Sequence, residues 1–305
     1  MFTEPAQPPL PPTGWTSIFL RADGLRAGWR LAIFVVTSVS LILLTLTFLS
    51  RLGVPLPTSS SLTPTSALTE ELTKILVTFA VVMLMSQIEQ RPFSSYGLPL
   101  RSAYGAQFWR GTLWGLVMIA GVLLAIAAAG GVSFGGIQLR GWRILSQTLL
   151  WALAFGSVGV FEEFFFRGYA LATLADGIGF WPAASVISAL FGALHLNTRG
   201  EGWVGVPQLF LVSMFFCVTL RRTGNLWFAV GMHAAWDFGE TFLFSAPDSG
   251  IVAPGTLLRS TFHGPAWLTG GTVGPEASVM GALAVVLAML LFARLYPARS
   301  DDADS

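Results

Sequence analysis

Charged side chains are scarce in this chain of 305 residues, of which only 11% are Asp, Glu, Lys or Arg. An average soluble domain carries about 25% charged residues, so the composition argues against a water-soluble globular enzyme. The formal net charge of +1 gives no electrostatic case for nucleic-acid binding. The hydrophobic content of 53% excludes a disordered chain. What remains is a polytopic membrane protein.

Cysteine and two kinds of pattern are also missing. Cys217 is the single cysteine, so the chain forms no internal disulfide and no thiolate zinc cluster. No internal repeat is visible, and such repeats mark many secondary transporters. The H-E-x-x-H motif of soluble zinc proteases is absent as well.

Long apolar runs are what the sequence does contain. A helix that spans a bilayer needs about 20 mostly apolar residues. Eight segments approach this pattern: 31–49, 67–87, 108–129, 145–174, 181–196, 207–220, 226–244 and 279–295. The alternation typical of a membrane β-strand is not seen. We therefore expect an all-α, polytopic membrane bundle of about eight transmembrane helices, the fourth of which stops near Asp176-Gly177 because glycine commonly ends helices.

The apolar segments suggest a division of the chain into five parts. These are an N-terminal cytoplasmic segment (1–30), membrane helices 1–3 (31–140), a core of helices 4–7 (141–245), a Gly/Pro-rich loop (246–278), and the last helix with an acidic tail (279–305). The loop could cover a site or be a plain surface connection.

The basic residues predict an orientation. With the N-terminus in the cytoplasm, eleven arginines fall on the inner side and five on the outer side. This bias favours two cytoplasmic termini by the positive-inside rule. The strong preference for Arg over Lys fits a GC-rich bacterial genome, so we expect an integral protein of a bacterial cytoplasmic membrane.

Ionisable residues inside the fourth segment are the first candidates for a site. An ionisable group at the centre of a membrane helix costs about 2.5–3.5 kcal/mol on insertion scales, so its presence is informative. Glu163 and Arg167 are spaced i, i+4 and can pair on one helix face, whereas Glu162 points about 100° away. A purely structural ion pair at a helix end is the alternative interpretation.

Two of the three histidines also lie in apolar segments. His195 follows Phe191 by four residues, and His233 precedes Asp237 by four. An acid beside a histidine can orient its ring. Taken singly, His195 could equally be a packing residue, and His233 with Asp237 a polar contact between helices. Glu240 follows on the same stripe as His233.

The residues of these motifs lie at similar distances from the inner ends of their helices. At 1.5 Å per residue, Glu162 lies roughly 18 Å and His195 roughly 21 Å from the inner end, with His233 and Asp237 at roughly 10 and 17 Å. The depths overlap within the error of the helix boundaries. One buried polar cluster can therefore contain Glu162, Glu163, Arg167, His195, His233 and Asp237.

The ordered motifs Glu162-Glu163-x-x-x-Arg167, Phe191-x-x-x-His195 and His233-x-x-x-Asp237 resemble the signature of the CPBP family. These intramembrane proteases are related to the type II CAAX prenyl endopeptidase and include bacteriocin-processing or immunity proteins of bacteria. The resemblance runs from the fourth to the seventh segment. It implies hydrolysis of a peptide bond within the membrane.

The resemblance also implies roles for the six residues. Glu162 and His195 would activate a water, and Glu163, held by Arg167, would shape the site. His233 and Asp237 would stabilise the oxyanion or position the water. Part of the family has Asn at the position of Asp237, and Asp237 could donate a hydrogen bond only if protonated; otherwise it could orient His233.

A metal is a further open question at this stage. Glu162, His195 and His233 would supply the two-histidine, one-carboxylate ligand set of catalytic zinc sites, which makes Zn²⁺ a candidate cofactor. A glutamate–histidine activated water needs no metal, so both mechanisms stay open.

Two other functions compete with proteolysis. Buried acids and histidines also build the proton relays of coupled transporters. A non-catalytic membrane protein could keep the fold and bind peptides. For the protease, the expected partners are a membrane-associated peptide or protein substrate and the lipid bilayer, with no nucleic acid; the oligomeric state is open.

Overall fold

The computed structural model describes residues 13–22, 24–58, 62–197 and 205–298. Within them the protein is all-α apart from two small two-stranded sheets. The α-helices are α1 (Thr16–Phe19), α2 (Ala27–Arg51), α3 (Pro64–Ile88), α4 (Ala106–Ala128), α5 (Trp142–Glu162), α6 (Leu171–Ile178), α7 (Phe180–Leu194), α8 (Gly205–Thr223), α9 (Trp227–Asp237), α10 (Ala266–Thr269) and α11 (Val279–Leu295). Two π-helical segments follow α5 and α9 directly, at Glu163–Ala170 and Phe238–Leu243.

Short elements complete the chain. One antiparallel hairpin is formed by β1 (Leu20–Arg21) and β2 (Gly24–Leu25), and β3 (Val132–Ile137) pairs antiparallel with the distant β4 (Leu258–Phe262). The 3₁₀ turns are Phe93–Tyr96, Leu100–Ser102, His195–Asn197 and Pro275–Ala277.

Each of the eight predicted segments is helical in the structure. The fourth is a continuous helical stretch of 37 residues, Trp142–Ile178, which joins α5, the first π-helical segment and α6. Its predicted stop at Gly177 is wrong. The backbone turns instead at Gly179, whose φ of +84° suits glycine. Gly177 is still helical, and a Cβ there would lie 2.9 Å from the Cβ of Ala27, so its smallness lets α6 approach α2.

Length and composition separate the helices into two groups. In the described part of the chain, the stretches Ala27–Arg51, Pro64–Ile88, Ala106–Ala128 and Trp142–Ile178 are long and apolar enough to cross a membrane. Helices α7 and α11 are apolar but shorter. Large apolar side chains such as Leu44, Leu76 and Leu113 are exposed on the long helices, as expected for surfaces that face lipid. The protein is therefore an all-α membrane bundle.

Helix α9 lies at the centre of this bundle, packed against α4, α5 and α8. Glycines allow its backbone to approach α4 closely. A Cβ on Gly111 would lie 2.0 Å from the carbonyl oxygen of Phe228, and one on Gly115 would lie 2.3 Å from that of Met232. On the other side of the contact, a Cβ on Gly231 would lie 2.1 Å from the carbonyl oxygen of Phe108. The pair Gly111-x-x-x-Gly115 is the small-residue spacing typical of tightly packed membrane helices.

This contact gives a first prediction. Gly231→Ala forces α4 and α9 apart and should destabilise the protein by about 1–3 kcal/mol, the usual cost of overpacking. The matched control is Gly121→Ala on α4, where a Cβ meets no atom within 4 Å. The measurement is the thermal midpoint in detergent. Equal midpoints for the two variants would contradict the close packing.

Ion pairs fix the arrangement at one end of the bundle. Arg30, near the start of α2, lies 2.6 Å from Glu89 and 3.0 Å from Asp176. Arg91 lies 2.6 Å from Asp176, and Tyr169 donates a hydrogen bond to Glu89. The start of α2 and the ends of α3 and α6 therefore share one end of the bundle, as alternating helices require.

Candidate active site

The first site element is the junction between α5 and the π-helical segment that follows it. Glu162 is the last residue of α5, and Glu163 begins the π-helical turn. Such insertions occur frequently at functional sites. Arg167 contacts Glu163 with an Nη1–Oε1 distance of 3.0 Å, so the pair predicted from i, i+4 spacing forms even though the turn is wider than α.

This ion pair is removed from water. Glu163 is 0% and Arg167 1% exposed. The guanidinium carbon of Arg167 lies 4.4 Å from the ring centre of Phe191 and 5.4 Å from that of Phe216, within the range of cation–π attraction. The positive charge of Arg167 is therefore stabilised by the Glu163 carboxylate and by the faces of these aromatic rings.

His233 is oriented by the same carboxylate. Its Nδ1 donates to Glu163 Oε1 over 2.8 Å, and its ring stacks on Phe216 with centres 5.5 Å apart. The other nitrogen, Nε2, lies 3.7 Å from Glu162 Oε2 and 3.7 Å from Asp237 Oδ2. Because Nδ1 is engaged, Nε2 is the nitrogen left for chemistry.

His195 enters from the end of α7, where the helix tightens into the turn His195–Asn197. Its Nδ1 donates to the carbonyl oxygen of Phe191 over 2.8 Å, and its ring packs on that of Phe191 at 4.8 Å. The predicted spacing of four residues thus positions the imidazole. As in His233, Nε2 is the nitrogen that remains.

A cavity of about 450 Å³ brings these groups together. Glu162, His195, His233 and Asp237 all line it, while Glu163 and Arg167 lie behind His233. The six residues predicted to converge do so: four face the cavity and two support them. Glu240, predicted on the stripe of His233, does not line the cavity; it is fully buried and accepts a hydrogen bond from Trp236 Nε1 over 2.6 Å.

Several polar residues of the cavity were not predicted as part of the site. Helix α3 contributes Glu71 and Lys74, which lie 2.7 Å apart, and α8 contributes the buried Gln208. Charges in the first turns of an apolar segment were a visible signal for the α3 pair, but they also suit a plain helix end. Asp248 and Glu276 come from the loop 246–278, where no periodicity marks them.

The loop 246–278 therefore lines the cavity rather than merely connecting two helices. Asp248, Ser249 and Ile251 reach the cavity from its first part, and Glu276 and Ala277 from its last part. Between them, β4 pairs with β3 in register Val132↔Phe262. This strand pairing anchors the loop to the chain that follows α4.

The candidate zinc ligands fit a metal in kind but not in placement. Both histidines hold Nδ1 in a hydrogen bond and leave Nε2, as metal-binding histidines commonly do. A metal site needs ligand atoms that lie close together. Among the described residues, one group of three acid or histidine side chains has its ligand atoms within 4.8 Å of one another, and it consists of Glu240, Asp248 and Glu276. It contains none of the predicted ligands Glu162, His195 and His233. The reaction mechanism proposed for this site therefore does not use zinc.

A comparison with known protein families gives a match to this region. Residues 144–239 match the family model described as type II CAAX prenyl endopeptidase Rce1-like. This region is therefore similar to that family of proteases. The match confirms the resemblance drawn from the three motifs, and the Rce1-like region contains all six predicted site residues. Glu71, Lys74, Asp248 and Glu276 lie outside it. No curated protein matches the chain.

Proposed function

We propose that the protein is an intramembrane endopeptidase in which Glu162 and His195 activate the hydrolytic water. The observation that carries the proposal is the cavity: Glu162, His195, His233 and Asp237 line one space in an apolar bundle, inside a region that matches a protease family. Within an apolar site, hydrogen bonds to developing charge are stronger than in water.

The chemistry follows from which nitrogen and oxygen atoms are free. Glu162 takes a proton from water as the water oxygen bonds to the carbonyl carbon of the substrate. His195, whose Nδ1 donates to Phe191, accepts a hydrogen bond from the water at Nε2 and fixes its direction. When the carbon–nitrogen bond breaks, Glu162 returns the proton to the leaving amine. General-base catalysis of this kind contributes about 10²–10⁴ in rate.

His233 is the proposed partner of the tetrahedral oxyanion. With Nδ1–H held by Glu163, a protonated His233 presents Nε2–H to the cavity as a donor. Glu163 and Arg167 are positioning residues because they fix this ring from behind. Asp237, 3.7 Å from the same nitrogen, favours the charged ring electrostatically.

The substrate class we propose is a membrane-associated peptide or protein, since the cavity lies in a membrane bundle. We also propose a bacterial cytoplasmic membrane with both termini inside, in keeping with the arginine distribution. The end that carries Arg30, Glu89 and Asp176 is then the cytoplasmic one, and the loop 246–278 covers the cavity from the outer side.

The test compares peptide termini in membrane fractions of cells that express the wild type or Glu162→Gln at equal levels. New termini, or precursors that disappear, in the wild type alone would support proteolysis and name substrates. The matched control is Glu70→Gln, which also replaces a carboxylate by an amide. Glu70 lies next to Glu71 on α3 and pairs with Lys74, but it does not line the cavity. Identical termini in all strains, with a phenotype that survives the substitution, would favour a non-catalytic partner. Ion-coupled uptake into liposomes that survives it would favour a transporter.

Metal removal gives a separate prediction. Because the proposed water activation uses Glu162 and His195 alone, activity should persist in 1,10-phenanthroline, which binds zinc strongly. The measurement is cleavage of an identified substrate together with the zinc content of the purified protein. Stoichiometric zinc that is lost together with activity would overturn the metal-free mechanism.

A further inference from the structure

Gln208 is a buried polar residue of the cavity that the proposed mechanism does not use. It lies in the first turn of α8, is 5% exposed and lines the cavity. Three cavity acids outside the predicted set, Glu71, Asp248 and Glu276, each have a hydrogen-bond partner. Gln208 Oε1, in contrast, is buried and has no hydrogen-bond partner within the described residues. Burying an unpaired amide oxygen is unfavourable, so a structural role alone does not account for this side chain.

The cavity wall around Gln208 would suit an apolar side chain of the same length. The other cavity residues that α8 contributes beyond its first residue are Leu209, Val212 and Phe216. Gln208 Nε2 lies 2.5 Å from the point where a Cβ on Gly281 would stand, so the glycine near the start of α11 leaves room for the amide. The protein therefore accommodates the amide sterically without providing a partner for its oxygen.

Helix geometry sets the distance between this amide and the proposed catalytic groups. Gln208, Val212 and Phe216 are spaced four residues apart, so they lie on one side of α8. Phe216 stacks on the ring of His233, the proposed partner of the oxyanion. The rise of α8 from Gln208 to Phe216 is roughly 12 Å at 1.5 Å per residue. An extended peptide covers this length in about three to four residues.

We propose that Gln208 binds the main chain of the substrate peptide, about three to four residues from the bond that is cleaved. This inference rests on the proposed protease function. A segment that is unwound for hydrolysis loses its helical hydrogen bonds, and its N–H and C=O groups need other partners in an apolar cavity. A carboxamide has an acceptor oxygen and two N–H donors, so Gln208 can accept from an N–H and donate to a C=O of one extended segment. Contacts to the main chain give affinity without selecting a side chain.

The test is Gln208→Met, which keeps the length of the side chain and removes both of its hydrogen-bonding groups. The probe is a synthetic peptide that spans a cleavage site found in the comparison of membrane fractions. We expect KM for this peptide to rise about tenfold or more, because its backbone groups lose their partner in the cavity. The kcat should stay within about twofold of the wild type, since the lost contact is the same in the ground state and the transition state.

Stability without peptide separates substrate binding from a structural role. The thermal midpoint of Gln208→Met in detergent should equal or exceed that of the wild type, because the substitution removes a buried oxygen that has no partner within the described residues. The matched control is Gln107→Met on α4. Gln107 Oε1 is also buried without a partner among the described residues, but Gln107 does not line the cavity. Gln107→Met should therefore leave KM unchanged.

Methylation of single backbone nitrogens in the peptide tests the same contact from the side of the substrate. At one position about three to four residues from the cleavage site, methylation should raise KM about tenfold for the wild type and hardly at all for Gln208→Met, since the two changes remove one interaction.

The outcomes separate this inference from the proposed function. An unchanged KM in Gln208→Met, or the same response of both proteins to methylation at every position, would overturn the role of Gln208 and leave the protease function intact. A lowered thermal midpoint with an unchanged KM would make Gln208 a structural residue. If the wild type cleaves no peptide, the proposed function and this inference both fail. Gln208→Leu takes the place of Gln208→Met if the methionine variant does not fold.

Discussion

Glu162→Gln should lower the rate of peptide-bond hydrolysis by about 10²–10⁴, the usual contribution of a general base. Gln has the shape of Glu but cannot take the proton from water. The loss should appear in kcat with little change in KM, because the substituted group acts on the water rather than on substrate binding. The measurement is cleavage of a substrate identified from the membrane-fraction comparison, with purified protein in detergent.

Folding should be almost unaffected by this substitution. The Glu162 side chain is 25% exposed, and its Oε2 lies 3.7 Å from His233 Nε2, beyond hydrogen-bond distance. Glu162→Gln should therefore keep a thermal midpoint close to that of Glu70→Gln and of the wild type.

A second substitution, at His195, tests whether Glu162 and His195 act on the same water. If Glu162 and His195 activate one water, the double variant Glu162→Gln/His195→Ala should be little slower than the slower single variant, since residues that act as a unit are strongly non-additive. A Glu162→Gln enzyme within about tenfold of the wild-type rate would assign the base to another cavity acid, such as Glu71 or Asp248.

Most of the helices and the supporting ion pair could be predicted because both depend on short-range spacing. Apolar runs mark helices wherever lipid or protein covers them, and Glu163 with Arg167 lie four residues apart in one such run. The spacing survives the π-helical turn because both side chains are long enough to meet. The helix stop at Gly179 was missed since two glycines compete there, and only the backbone conformation distinguishes them.

The cavity residues from the loop 246–278 and from α3 could not be predicted from the sequence. Asp248 and Glu276 lie in a loop whose sequence has no periodic pattern, and their approach to Glu240 depends on how the pairing of β3 with β4 anchors that loop. Lys74 and Glu71 reach the cavity only because α3 packs on α5. These are long-range consequences of packing, which residue spacing does not encode.

Breaking the buried ion pair should have the largest effect on stability. Arg167→Met leaves Glu163 as a fully buried charge without its arginine, and loss of one partner of a buried pair typically costs about 3–5 kcal/mol. The matched control is Arg91→Met. Its side chain is 41% exposed and pairs with Asp176, so its loss should cost about 1 kcal/mol or less.

The double variant Glu163→Gln/Arg167→Met tests whether the pair acts through its charges or through its packing. It removes both charges together, so it should be more stable than Arg167→Met alone, measured as the free energy of unfolding or the thermal midpoint in detergent. The amide oxygen introduced by Glu163→Gln can still accept from His233 Nδ1, but it no longer favours a charged imidazole ring. Activity should therefore stay well below the wild type although stability recovers. A double variant as unstable as Arg167→Met would mean that the pair acts mainly through its packing among Phe191 and Phe216. Full activity in it would remove Glu163 from the machinery that prepares His233.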